Sequence, residues 1–356
     1  MKTAIAVGGP ASGAHDDFER VIAYACEAER LGVDSAWSAE AWGMDAVAPL
    51  AFLAARTQRL RLGTGIMQIS ARTPSMTAMT ALTLATLSGG RFMLGLGASG
   101  PQVVEGLQGQ PFAKPLRRMR ETIEIVRLAF RGEKLAYDGE FHRLPRPGGE
   151  GKPLRLSQPA NPDIPIYLAT LSPKALELTG ELADGWLGTS FTPEHAEAHL
   201  EHLRVGAERA GRTLDDLDLG VGGAVGFGDD VEPMIESLRP RMAFTLGAMG
   251  SARTNFYNDA YRRGGFADAA AEVQQLWVAG KRAEAATRVP DEMILQSTLL
   301  GPEKRVLDRI RKYRDAGIRT LRLDPLGATA TERLDTLGRA VELVRQETEG
   351  SRTDSP

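Results

Sequence analysis

Two hydrophobic rhythms alternate along this chain. Short apolar runs show no polar-apolar alternation and read as strands buried on both faces. They are Thr3–Gly8, Ser35–Ala39, Leu60–Ile69, Phe92–Gly97, Ile164–Ala169, Gly185–Ser190, Leu217–Val225 and Thr320–Asp324. Between them, apolar residues recur every three or four positions, the period of a helix with one buried face. Those stretches are Asp16–Leu31, Asp45–Arg56, Ser75–Leu87, Pro115–Phe130, Pro173–Ala183, Glu194–Ala210, Pro302–Ala316 and Thr331–Glu347. About eight strand-helix units of this size predict an α/β protein, a (β/α)8 TIM barrel. A doubly wound open sheet is the alternative.

Two stretches depart from the rhythm. Gly132–Asp163 is an excursion in which KLAYDGEFHRL reads as a hairpin turning at Asp138–Gly139. Gly228–Pro290 holds helical stretches and no clear strand. It follows the seventh strand, on the face where barrels keep their active sites, and is expected to be a lid or substrate wall. Arg253, Asn255 and Tyr257 are its candidate pocket residues. Residues 1–348 form one domain on this reading, and the polar residues 349–356 a disordered tail.

Gly95, Gly97 and Gly100 spell G-x-G-x-x-G after a strand, the dinucleotide fingerprint. The context is wrong for it. Pro101, Gly106 and Gly109 follow, where a Rossmann unit needs a helix, and the long helix begins only near Lys114.

Composition narrows the function. The chain has 356 residues, 42% hydrophobic and 25% charged, with net charge −3, so no basic footprint points to nucleic acid. No apolar run is long enough to span a bilayer, and no signal peptide is evident. The one cysteine, Cys26, excludes a disulfide framework and fits a reducing cytoplasm. Its helical spacing marks a buried structural thiol. His195, His199 and His202 share a charged helix, and no carboxylate or cysteine completes a metal set, so they read as a solvated outer face. Neither a nucleophile elbow nor a metalloprotease helix is present. The hard chemistry therefore falls to an organic cofactor.

The strand ends carry the candidate site. Gly63 and Gly65 in the third strand mark a bulge or a close backbone approach. Glu40 ends the second strand and points toward the barrel mouth, while Asp45 reads as a helix cap. Ala98–Pro101 is a small-residue turn where backbone can lie against a ligand. Ser172 and Thr192 are natural helix caps, and with Thr189 and Ser190 they give two hydroxyl-rich helix starts, a candidate phosphate cup.

Three segments carry a family resemblance: VDSAWSAEAWGMDAVAPLAFLAARTQRLRLGTGI, RFMLGLGASGPQVVEGLQGQPF with its helix LRRMRETIEIVRLAFRGE, and IPIYLATLSPKALELTGELADGWLGTSFTPE. LLGPEKRVLDRIRKYRDAGI is similar to the family's last returning helix. The chain resembles the bacterial luciferase-like superfamily, and within it the coenzyme F420-dependent oxidoreductases. The resemblance implies a barrel holding a deazaflavin ring at its C-terminal mouth. It implies a cis, non-proline bond at Gly65–Ile66 whose bulge backs the ring. It puts Ser99, Gly100 and Gln102 on the loop lining the ring, and Leu171, Ser172, Thr189 and Ser190 on the phosphate cup. Glu40 falls where many members have an acid followed by histidine, but Ala41 takes the histidine position here.

The expected activity is hydride transfer between the deazaflavin C5 and a small organic substrate. Glu40 and Glu105 are the candidates for the accompanying proton. The alternatives are an FMN-dependent monooxygenase of the same fold and a barrel that only binds a flavin. A homodimer is implied by the resemblance alone.

Overall fold

The computed structural model describes residues 1–8, 15–250 and 254–353. Arg253 lies outside them, as do residues 354–356 of the expected tail. The eight barrel strands are β1 (Lys2–Ala6), β2 (Ser35–Ser38), β3 (Arg61–Thr64), β4 (Phe92–Gly97), β5 (Ile166–Leu168), β6 (Gly185–Leu187), β7 (Asp218–Phe227) and β8 (Thr320–Pro325). All pair in parallel, each with its neighbour in sequence, and β8 pairs with β1 to close the barrel. Closure satisfies every strand edge and excludes the open-sheet alternative.

Burial on both faces accounts for the apolar runs. The outward side chains of the strands, such as Leu62, Leu94, Ile166, Leu321 and Leu323, join the helices in one large core. The inward ones form a small separate cluster of Ala4, Trp37, Met93 and Tyr167, with Leu187 against it. Trp37 meets Tyr167 edge-on at 5.0 Å between ring centroids. Below them Tyr167 and Thr320 both donate hydroxyl hydrogen bonds to Asp218, at 3.0 and 2.7 Å. The barrel is thus plugged at its floor and open only toward the strands' C-terminal ends.

Several details differ from the sequence expectation. The third strand is interrupted: after Thr64 it resumes as Met67–Gln68, which pairs with β4. The hairpin strands are Tyr137–Asp138 and Arg143–Leu144, and Gly139 donates to the His142 carbonyl. The turn is therefore residues 139–142, longer than the two-residue Asp138–Gly139 turn. The closing helix runs Ala330–Thr353. Cys26 is half-buried, its thiol 3.5 Å from the Arg56 carbonyl oxygen.

An extra short strand, Leu299–Gly301, was not anticipated. It pairs with the upper end of β7, Val225 opposite Leu299 and Phe227 opposite Gly301. The excursion from β7 thus returns to the strand it left. Among the described residues that excursion is helical, and it has its own hydrophobic cluster, including Ile235, Leu246, Tyr261, Val273 and Met293.

Candidate active site at the barrel mouth

The bulge in strand three is as expected: the Gly65–Ile66 peptide bond is cis. Neighbouring backbone holds it from both sides. Gly65 N–H donates to the Ser38 carbonyl at 2.6 Å, and Glu40 N–H donates to the Ile66 carbonyl at 3.2 Å. A Cβ on Gly65 would lie 3.1 Å from Trp37 Cβ, and one on Gly97 would lie 2.8 Å from the Ile66 side chain. Glycine at these positions lets Trp37 and Ile66 fill the wall without closing the mouth.

Glu40 is not a free acid facing this space. Its side chain is only 9% exposed. Oε1 accepts from Gln68 N–H at 2.8 Å and from Arg72 Nη1 at 2.6 Å, and Oε2 accepts from Ala46 N–H at 3.2 Å. Gln68 Nε2 donates back to the Glu40 carbonyl at 3.1 Å. The carboxylate is a staple binding the bulge to the second strand's loop. Asp45 caps the next helix as expected, accepting from Val47 and Ala48 N–H at 2.8 Å. Glu105 is exposed at the end of a short helical turn, Pro101–Val104, and accepts from Phe112 N–H at 3.2 Å. Ser99 takes a left-handed backbone with φ 59°, and Gly100 begins the turn that carries the exposed Gln102.

The phosphate cup has unspent polar groups. Ser172 precedes the helix Pro173–Leu182 but makes no capping hydrogen bond, leaving its hydroxyl and the first N–H groups available. Leu171 is buried beside it. Thr189 and Ser190 are half-buried, and Ser190 has φ 51°. Thr192 Oγ1 is shut from solvent without a hydrogen-bond partner, and Ser190 Oγ is shut from solvent beside the Tyr261 phenol. Thr192 does not cap through its side chain, because a short turn, Pro193–His195, intervenes before the helix Glu197–Arg209.

The insertion contributes residues that the sequence did not single out. At Arg262–Phe266 its helices break at Gly264 and Gly265, the latter with φ 89°. This turn touches both halves of the cup. Arg263 Nη2 donates to the Leu171 carbonyl at 2.6 Å. A Cβ on Gly265 would lie 2.7 Å from the His195 ring, and Phe266 meets that ring edge-on. Tyr261 is buried with its phenol beside Ser190 and Ser297, and burial raises its pKa. Between turn and cup is a cavity of about 300 Å³ lined by Ser172, Pro173, Phe256, Asp259, Arg262 and Arg263. Burial pulls the Arg263 pKa down, against the pull of nearby Asp259, and its Nε has no partner. Two guanidiniums, one carboxylate and a helix start give this cavity a net positive field. Asn255 is instead structural: its Oδ1 caps a helix and its Nδ2 donates to Leu246.

His199 corrects the solvated-face reading. It is 1% exposed, packed 5.5 Å from Trp186 and 5.7 Å from Phe191, with both ring nitrogens unpartnered. Burial, with the charges of Arg263 and His202, lowers its pKa from 6.5 to about 4. Unfolded chains protonate this histidine near its ordinary pKa and the native state only near pH 4, so unfolded protein binds more protons between those values. Its contribution to stability is therefore complete above that window and is lost as pH falls through it, by about 3 kcal/mol at most. His199→Leu should flatten the pH dependence of the urea midpoint between about pH 7 and about pH 4.5. An unchanged slope in the variant would overturn this.

The sequence profile described as luciferase-like monooxygenase matches residues 2–320. A Mycobacterium tuberculosis protein carried under the provisional name coenzyme F420-dependent oxidoreductase Rv3520c is 42% identical over 299 residues, 82% of this chain and 86% of that one. Among solved structures, the coenzyme F420-dependent tetrahydromethanopterin reductase of Methanopyrus kandleri superposes with TM-score 0.78 at 23% identity, covering 97% of each chain. The oxygenating constituent of 3,6-diketocamphane monooxygenase from Pseudomonas putida, solved with FMN, gives 0.68 at 16%, covering 98% of each. Those two likenesses concern the fold. The profile match spans most of the chain and the Rv3520c match 82% of it, and by them the chain belongs to the luciferase-like monooxygenase family.

Proposed function

We propose that this protein is an F420-dependent oxidoreductase acting on a small organic substrate. The observation that carries it is the basic cavity at Ser172, Arg262 and Arg263, opening beside a glycine-walled mouth. A flat ring ending in a phosphate needs that pair of features. Relatedness to Rv3520c favours the deazaflavin over FMN.

The residues present fit such a group. Gly65 and Ile66 would back the ring, with Gly97 and the Ser99–Gly100 turn beside it. Ser172, Thr189, Ser190, Arg262 and Arg263 would hold the phosphate through N–H, hydroxyl and guanidinium donors. When bound, the deazaflavin supplies hydride chemistry at C5. The chain's own work is positioning and exclusion of water. Glu40 would act by fixing the bulge, since three donors already occupy its carboxylate. Glu105 would order the loop to Phe112. We assign the proton to neither.

The test is affinity for F420 and for FMN by fluorescence quenching on purified protein. F420 should bind tighter by roughly tenfold or more, about 1.4 kcal/mol. Tighter binding of FMN would replace this reading with the monooxygenase one.

A further inference from the structure

Along β8, Thr320, Arg322 and Asp324 alternate with Leu321 and Leu323, which are fully buried in the outer core. The polar three therefore face the barrel interior. Register agrees: Arg322 lies opposite Ala4 of the inner cluster on one side and Gly222 on the other. Thr320 is spent on Asp218 at the floor. Arg322 stands one layer higher and reaches upward.

Its donors are poorly used. Nη2 lies 3.4 Å from the Gly222 carbonyl and 3.4 Å from Asp324 Oδ2, both at the long end of hydrogen bonding. Nε is shut from solvent with no partner. Asp324 is shared, because Arg241 from the insertion approaches the same oxygen at 3.9 Å. Two guanidiniums thus face one carboxylate. Tyr257, also from the insertion, lies within electrostatic range of Arg322, whose charge opposes the upward shift that burial gives the phenol. Around them the interior is lined by small residues, Gly222 opposite Arg322 and Ala224 opposite Asp324. An inward cation with underused donors, its side chain still 31% exposed, is arranged for an anionic oxygen group.

We propose that Arg322, assisted by Arg241, is the substrate-reading site of the mouth, and that the substrate carries a carboxylate or phosphate. The inference rests on the deazaflavin lying against the strand-three bulge, which leaves the β7–β8 wall to the substrate. It goes further by naming the substrate's charge and the residue that reads it. The planar fork of Arg322 accepts either group bidentately, and Asp324 keeps the fork aimed at the mouth. Neutral substrates would leave its donors unfilled.

The experiment uses F420-loaded enzyme and three matched probes: benzoate, phenyl phosphate and benzamide. Binding is read by calorimetry. One of the anions should bind at least roughly tenfold tighter than benzamide. Which anion wins identifies the group. Arg322→Gln should abolish that preference, and Arg322→Lys should restore part of it, while both keep wild-type F420 affinity. Equal binding of all three probes to the wild type overturns the proposal. So does an anion preference that survives in Arg322→Gln. If wild-type protein fails to take up F420, the cofactor reading falls; the same titrations on the protein alone then decide the Arg322 site separately.

Discussion

Replacing Arg262 and Arg263 together by alanine should weaken F420 binding by about 10²- to 10³-fold. Each guanidinium bonded to a phosphate oxygen contributes about 1.5–3 kcal/mol, and some of this is recovered by water in the emptied cavity. The two will not contribute alike. Arg263 already donates to Leu171, so its removal also loosens the insertion from the barrel. Arg262 is exposed and, among the described residues, its side chain makes no ion pair or hydrogen bond. Arg262→Ala alone is therefore the clean measurement: a loss of roughly tenfold with an unchanged urea midpoint. The phosphate-free deazaflavin riboside should bind wild type and variants equally. Equal loss for the riboside would place the arginines on the ring side and refute the phosphate role.

Gly206→Ala is expected to cost about 3 kcal/mol or more of stability, and to damage the cup as it does so. The helices Pro173–Leu182 and Glu197–Arg209 pack through a reciprocal glycine notch. A Cβ on Gly206 would lie 1.8 Å from the Glu177 carbonyl oxygen, and one on Gly180 would lie 2.0 Å from that of Leu203. Both obstacles are backbone, so no side chain can rotate away, and the helices must part by roughly 1.5 Å to restore van der Waals contact. Leu176, Thr179, Leu203 and Ala207 are fully buried around the notch and would lose that packing. The first of these helices begins at Ser172, and the second lies just beyond Thr192. Their closeness sets the width of the cup, so F420 affinity should fall even below the unfolding transition. A wild-type urea midpoint in Gly206→Ala would refute the notch.

Much of this architecture was legible because its causes are local. A strand buried on both faces must be apolar at consecutive positions, so β4 and β5 announced themselves. The glycines of strand three stand out because they weaken the strand that contains them, and the hydroxyls at Ser172, Thr189 and Ser190 because they gather at two helix starts. What escaped depends on distant partners. Glu40 read as a free acid, since Gln68 and Arg72, which occupy it, lie about thirty residues away. His199 read as solvated because His195 beside it is, while its cover, Trp186 and Phe191, comes from another element. Arg262 and Arg263 sat in a helical pattern whose position over the barrel no periodicity encodes. The adjacent Gly264 and Gly265 were the available signal, a forced turn directly after two cations.

The return of the excursion onto β7 has a meaning for how such a chain can diversify. The segment leaves after Phe227 and rejoins the sheet at Leu299, opposite Val225, so the chain passes from barrel to segment and back at neighbouring points on one strand. The segment keeps a hydrophobic cluster of its own. Lengthening or replacing it changes the entropy of closing that loop only logarithmically. Inheritance can therefore rebuild this piece as a cartridge, provided the turn at Arg262–Phe266 still reaches the barrel, while the closed sheet beneath is passed on unchanged.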